Sequence, residues 1–502
     1  MPQTLSPELS ELQQRIQAHA REVGLDFFDI VYEVLDWEEI NEVAAFGGYP
    51  ARYPHWRFGM EYIELSRSYA YGLSKIYEMV INNDPTYAYL LAANHHVDQK
   101  LVMAHVCGHG DFFKHNFMFA GTNRKMLDEM ANHASRVRRY MERHGAEAVE
   151  SFLDRCLSIE NLIDYSAVTG YAQRMAVEGE EEEEGGRSTE PRRLKAKNYM
   201  DPFINPPAAL AAERERRAAA EHREPRSVPE QPVRDILLFL QEHAPLERWQ
   251  RDVLGIVREE AYYFAPQGRT KIMNEGWASY WHSRLMTERL LDPSEIIDYA
   301  DHHSGTMATG PRRLNPYKVG IELWRDIEER WDKGRYGSDW TSCDDFAARE
   351  RWDTGEMRGQ EKIFEVRRHY NDVTFIDEFL TPDFVRRQGL FTFDYDKRAG
   401  RYVISDRDFA AVKERLLFML TNFGQPSIDL VDANFLNRGE LLLVHRYEGI
   451  PLKLDEALET LENLQAIWKR PVNLETDVDD EPVVLSYDGT EHRSEEALVD
   501  RA

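Results

Sequence analysis

From residue 7 to about 175, and again from 233 to about 340, large apolar residues recur at three- and four-residue intervals, a period that suits helices and not strands. Ser6 followed by Pro7 and Glu8 reads as a helix start: a capping hydroxyl, then a residue whose missing N–H costs nothing at the first helical position. Leu9, Leu12 and Ile16 then fall on one face. The stretch from residue 124, RKMLDEMANHASRVRRYMERHG, repeats the pattern and closes on Gly145 as a C-cap would. After about residue 385 the texture changes. FTFDYD, RYVISD, SIDLVDANF, ELLLVHRYEG and PVNLETD are β-rich runs, interleaved with amphipathic stretches beginning at residues 408 and 455. The expected architecture is a mainly α large N-terminal domain over 1–384 and a small α+β C-terminal domain over 385–475, followed by an acidic tail over 476–502.

The stretch 178–232 breaks the helical texture with EGEEEEEGGRSTEPRR and ERERRAAAEHREPRSVPEQP. Blocks of like charge with Gly and Pro cannot bury enough surface to offset the entropy of ordering, so this reads as a flexible charged insertion, interrupted by a short element near 198-NYMDPFI. Over the whole chain 62 Lys+Arg face 89 Asp+Glu, a net charge of −27, which argues against nucleic acid as a partner because that affinity rests on cations neutralising phosphates. No run of about 18 uncharged apolar residues suggests membrane insertion, and the first twenty residues lack the basic start and apolar middle of an export signal. The expected location is cytoplasmic. Cys107, Cys156 and Cys343 are too few and scattered for a disulfide framework and read as reduced thiols.

The most specific local feature is 98-DQKLVMAHVCGHGDFFKHN. On a helix His105 and His109 lie one turn apart, and Asp98 shares their face. Two imidazoles so placed can hold a divalent metal such as zinc, as HExxH helices do. Here Val106-Cys107-Gly108 fills the middle, so the glutamate that serves those enzymes as general base is absent. Cys107 is either a small packing residue or a soft ligand. Far downstream, 270-TKIMNEGWASYWHSRLM carries Glu275 and His282 among aromatic residues, where burying charge is costly without a partner. Glu275 is the expected third ligand, with His282 as rival ligand or as a donor standing behind one. Such a site would be that of a metallohydrolase. Asp98, Glu260 and His303 are the candidates for the missing proton-transfer group; Glu260 adjoins Glu259, and His303 sits beside His302 in 301-DHHSGTMATG, read as a Gly-containing loop. The alternative for every one of these groups is an ordinary structural hydrogen bond or ion pair.

The stretches 54-PHWRFGMEY, 75-KIYEMVINNDPTYAYL, 97-VDQKLVMAHVCGHGDFFKHN, 259-EEAYYFAPQGRTKIMNEGWASYWHSRLM, 315-NPYKVGIELWRDIEERW and 373-VTFIDEFLTPDF resemble the SpoVR family, the bacterial stage V sporulation R-like proteins. The resemblance implies a large N-terminal and a small C-terminal domain and a role in sporulation, with spore cortex formation in spore formers, or in stress response elsewhere. It also implies partners, a PrkA-type serine kinase and a von Willebrand-like protein, and so a second reading in which the chain is a non-catalytic regulator or scaffold of a kinase-linked pathway. It supplies no catalytic residues.

Overall fold

The computed structural model describes residues 3–70, 78–167, 228–308, 314–396, 400–479 and 481–496. Most of the expected insertion, including 198-NYMDPFI, lies outside them; only residues 228–232 are described. The chain forms two compact units, Met1–Phe152 with Tyr262–Gln425, and Leu153–Ala261 with Pro426–Ala502. No described helix is long and apolar enough to cross a membrane.

In the first unit β1 (Gln3–Thr4) leads into α1 (Pro7–Glu22), capped by Ser6 with Pro7 at its first position, as the sequence predicts. Then come β2 (Ile30–Leu35), α2 (Trp37–Ala45), α3 (Trp56–Ala70), β3 (Glu78–Ile81) and β4 (Thr86–Leu91). These strands make a four-stranded sheet in the order β1-β2-β4-β3, with β2 and β4 parallel and the other pairs antiparallel. The first third of the chain is mostly helical, as expected, but its periodicity did not announce this sheet. β2, β3 and β4 are short, largely apolar runs, and over four to six residues a buried strand and a turn of buried helix present the same pattern.

Two helices run through the interior. In α4 (His96–His115) sixteen residues from Val97 to Phe113 are buried, and in the helix Lys271–Leu285 twelve are. The next helix, α5 (Met126–His144), ends on Gly145 in a positive-φ conformation, as expected. It is followed within this unit by α6 (Lys271–Leu285), α7 (Ile296–Thr306), α8 (Pro316–Asp332), α9 (Gly359–His369) and α10 (Asp372–Phe379). Because α4 and α6 are enclosed on nearly every side, their polar side chains must find partners inside the protein.

Close backbone contact sets how α6 sits. A Cβ at Gly108 of α4 would lie 2.7 Å from Ala278 Cα, and one at Gly320 of α8 would lie 2.6 Å from Gly276 Cα. Neither crossing can accommodate a larger residue without moving a helix. The start of α6 is fixed as well: Asp372 accepts from the backbone N–H groups of Ile272 (2.8 Å) and Met273 (2.9 Å), which have no partner within their own helix. Trp324 Nε1 donates to Met273 O at 3.1 Å. On the far side, the buried carboxylate of Asp111 accepts from Trp277 Nε1 at 2.9 Å and pairs with Arg367.

The first unit ends with the hairpin β5 (Thr392–Asp396) and β6 (Arg401–Asp406) and helix α11 (Phe409–Leu420). These elements were expected in the C-terminal domain. The sheet of the second unit begins later, with β7 (Ile428–Phe435), β8 (Glu440–His445), α12 (Leu454–Trp468), β9 (Val472–Val478), β10 (Glu481–Tyr487) and β11 (His492–Glu496). Its order is β11-β10-β9-β8-β7, with β8 and β9 parallel across α12 and the rest antiparallel. Residues 476–496, expected as part of an acidic tail, therefore belong to three strands. Their acidity reflects exposure: β11 is exposed along most of its length, and Asp488-Gly489 begins the turn before it, with Asp488 accepting from Thr490 and Glu491.

Replacing Gly320 by Val should push α8 away from α6 and destabilise the protein by about 1–3 kcal/mol, the usual cost of overpacking a tight contact. A lowered denaturant midpoint with an unchanged slope checks this; an unchanged midpoint contradicts the close crossing.

Candidate metal centre

The crossing of α4 with α6 determines which side chains meet. Gly108 adjoins His109, and Ala278 lies one turn beyond Glu275, so the two histidines of α4 and the glutamate of α6 come together. His105 Nε2 lies 3.6 Å and His109 Nε2 3.5 Å from Glu275 Oε2, and the three donor atoms all fall within 4.8 Å of one another. These separations are too long for hydrogen bonds. They suit atoms sharing a cation, since a tetrahedral zinc at about 2.0–2.1 Å from its ligands keeps them about 3.3 Å apart.

Both imidazoles are held from behind. His109 Nδ1 is 2.8 Å from Asn274 Oδ1, which can only accept, so a hydrogen sits on Nδ1 and it is Nε2 that faces Glu275, with its lone pair open to a cation once any proton there is displaced. His105 Nδ1 is 2.9 Å from His282 Nδ1. Glu275 Oε2 is shielded from solvent and has no hydrogen-bond partner, an expensive state for a carboxylate oxygen. The glutamate side chain nevertheless keeps 18% of its exposure, so the group is not sealed. Two lone pairs and an unsatisfied oxygen aimed at one point form a donor set that fits a divalent ion.

The electrostatics point the same way. Burial works to raise the Glu275 pKa, but the two imidazoles outweigh it and hold the carboxyl well below its usual range. Burial, with the charge of His109, pushes His105 down to about 4. Burial also works to lower His109, yet Glu275, Asn274 and Glu78 together leave it above the ordinary histidine value. Without a metal, the positive charge that Glu275 requires is thus a proton on His109.

Glu78, at the head of β3, escaped the sequence reading. Desolvation pushes its pKa up to about 7, with Glu275 acting in the same direction and His109 against it. The only signal in the sequence was a carboxylate opening the apolar run EMVI, a poor place for a charge without a task. Tyr317 of α8 also lies beside the group: its ring stacks 6.3 Å from that of His105, close enough for Glu275 and Glu78 to act on its hydroxyl. Burial and the two glutamates raise its pKa, so the phenol keeps its proton.

The remaining candidates are placed differently. His282 stands behind His105 and outside the three-residue group, with its own pKa well below the histidine norm through burial and the neighbouring imidazoles. His303 is on helix α7 and not in a loop, with Nδ1 3.3 Å from His282 Nε2. Asp98 shares a helix face with His105, but seven residues of helix put it about 10 Å along the axis. There it receives the His95 N–H at 3.3 Å and pairs with His302. Glu260 is buried in the second unit. Cys107 is fully buried and its thiol is pushed up to about 12, which favours the packing reading over a thiolate ligand.

Metal affinity should therefore depend on pH in a defined way. The metal-free centre holds a proton on Glu78 below about 7 and favours one on His109, whose pKa stands above the ordinary histidine value; a cation must displace them, whereas His105 stays neutral to about 4. Lowering the pH from 7 to 5.5 should weaken zinc binding by at least about tenfold per pH unit, read by chelator competition. A flat profile over that interval would contradict the protonation assigned to the pair.

The model of the family described as SpoVR like protein matches residues 3–425, and that of the SpoVR-like C-terminal domain matches residues 426–479. The Escherichia coli (strain K12) protein bearing the name Uncharacterized protein YcgB is 29% identical over 496 residues, which cover 92% of this chain and 90% of that one. No solved structure matches. Two models that together account for nearly all of the sequence, the second of them at the C-terminal end its description names, make the chain a member of the SpoVR family.

Proposed function

We propose that the protein is a cytoplasmic metal-dependent hydrolase or transferase acting on an amide-like bond, with His105, His109 and Glu275 as the ligands of one divalent ion, zinc by preference. The observation that carries this reading is the buried Glu275 Oε2, without a hydrogen bond and facing the Nε2 atoms of two imidazoles whose other nitrogens are already engaged. Bound there, a divalent ion supplies an acidified water and a Lewis-acid contact for a carbonyl oxygen.

The chain's own groups divide the remaining work. Asn274 and His282 orient the ligand imidazoles. Glu78, with a pKa near neutrality and coupled to both His109 and Glu275, is suited to take the proton that an HExxH glutamate would take, a position filled here by the buried Val106. Tyr317 keeps its phenolic proton and can donate it in a hydrogen bond to an oxygen that gains charge. Exposure of part of Glu275 leaves a route for substrate.

Purified protein, carried through metal analysis beside His105→Ala and Glu275→Ala, should hold about one equivalent of zinc, manganese or iron, lost in both variants. Release of amine from N-acyl amino acids and short peptides should fall at least about a hundredfold in the same variants. Metal that survives both changes, or a wild-type protein without metal, overturns the site. If a metal-free preparation still restored function to a deletion strain, the chain would instead be a regulator in a pathway with a PrkA-type kinase and a von Willebrand-like partner.

A further inference from the structure

Helix α7 is held in the first unit by little apolar surface. Among its residues only Tyr299 is buried, while Ile296 and Ile297 are 54% and 75% exposed. Asn315 Nδ2 donates to Thr306 O at the end of the helix (2.8 Å), and two adjacent histidines hold it from its side. His302 Nδ1 pairs with Asp98 Oδ1 at the start of α4. His303 stacks on Tyr299, ring centroids 5.5 Å apart, and places Nδ1 3.3 Å from His282 Nε2. His282 is 3% exposed and sets its Nδ1 2.9 Å from His105 Nδ1. Three imidazoles thus run in sequence from the candidate centre to α7.

Each link has one hydrogen to place between two nitrogens, so the arrangement at one end fixes the rest. When His105 gives its Nε2 lone pair to a cation, its hydrogen must sit on Nδ1. His282 then accepts at Nδ1, carries its own hydrogen on Nε2, and donates to His303 Nδ1. No charge moves along this chain; only the direction of its hydrogen bonds is set.

We propose that His282 and His303 are positioning residues through which cation binding at His105 and docking of α7 stabilise each other. The inference rests on His105, His109 and Glu275 binding a metal, and it adds an element of the fold whose order depends on occupancy. The coupling is reciprocal: whatever factor α7 docking adds to cation affinity, the cation adds to docking.

The test uses the full chain, zinc titrated against a chromophoric chelator, and hydrogen exchange of the α7 amides with and without zinc. Wild type should bind zinc and show slowed exchange in α7 on binding. His282→Leu leaves the His105 Nδ1–H without an acceptor and should weaken zinc binding about tenfold or more, the usual cost of losing a group behind a ligand histidine. His282→Gln, which restores an acceptor oxygen, should recover most of that loss. His303→Ala alters a half-buried residue, should leave the fold intact by circular dichroism, and should abolish the zinc-dependent protection of α7. Equal weakening in His282→Leu and His282→Gln, or wild-type α7 exchange unchanged by bound zinc, would overturn the coupling and leave the metal centre standing. A wild type that takes up no zinc would overturn the centre and the coupling together.

Discussion

Helix α6 touches the backbone of α4 at one crossing and that of α8 at the other, through Gly108 with Ala278 and Gly276 with Gly320. So close an approach leaves no room between the helices, and the side chains beside each crossing are driven into a shared space. Glu275 adjoins one crossing and lies a turn from the other, which sets it against His105 and His109. The Asp372 cap and the Trp324 hydrogen bond hold the start of α6. The candidate site is a consequence of that packing and needs no loop to assemble it.

Bringing a carboxylate into such a place is costly unless it meets a positive charge. Within the group around Glu275 two carboxylates, Glu275 and Glu78, face two imidazoles and a phenol. In the metal-free protein protons carry the balance, one raised onto His109 and one held by Glu78 near neutral pH. A single divalent ion would replace both and leave the pair of carboxylates neutralised. The unsatisfied Glu275 Oε2 is intelligible as an atom whose partner is that ion.

Much of this was legible in the sequence, and its limits follow from periodicity. A one-turn spacing puts His105 and His109 side by side on any helix, and a glutamate embedded in NEGWASYWH had to be buried with a partner, so three residues far apart in the chain could be matched. Helical spacing says which face a residue takes but not how far along the axis a neighbour reaches. Asp98 and His282, each seven residues from a ligand on the same helix, therefore share a face with it yet meet other groups. Glu78 was hidden because it reaches the site from a four-residue strand in a stretch read as helical. The strands of 476–496 were hidden because an exposed meander with acidic edges has the composition of a tail.

The central claim is that His105, His109 and Glu275 bind one ion together. A crystal structure of protein grown with zinc, with data collected on both sides of the zinc absorption edge, tests it most directly. The account predicts an anomalous peak about 2.0–2.2 Å from His105 Nε2, His109 Nε2 and a Glu275 oxygen. A map without a peak there, in which Glu275 Oε2 accepts a short hydrogen bond from a protonated His109, would contradict it.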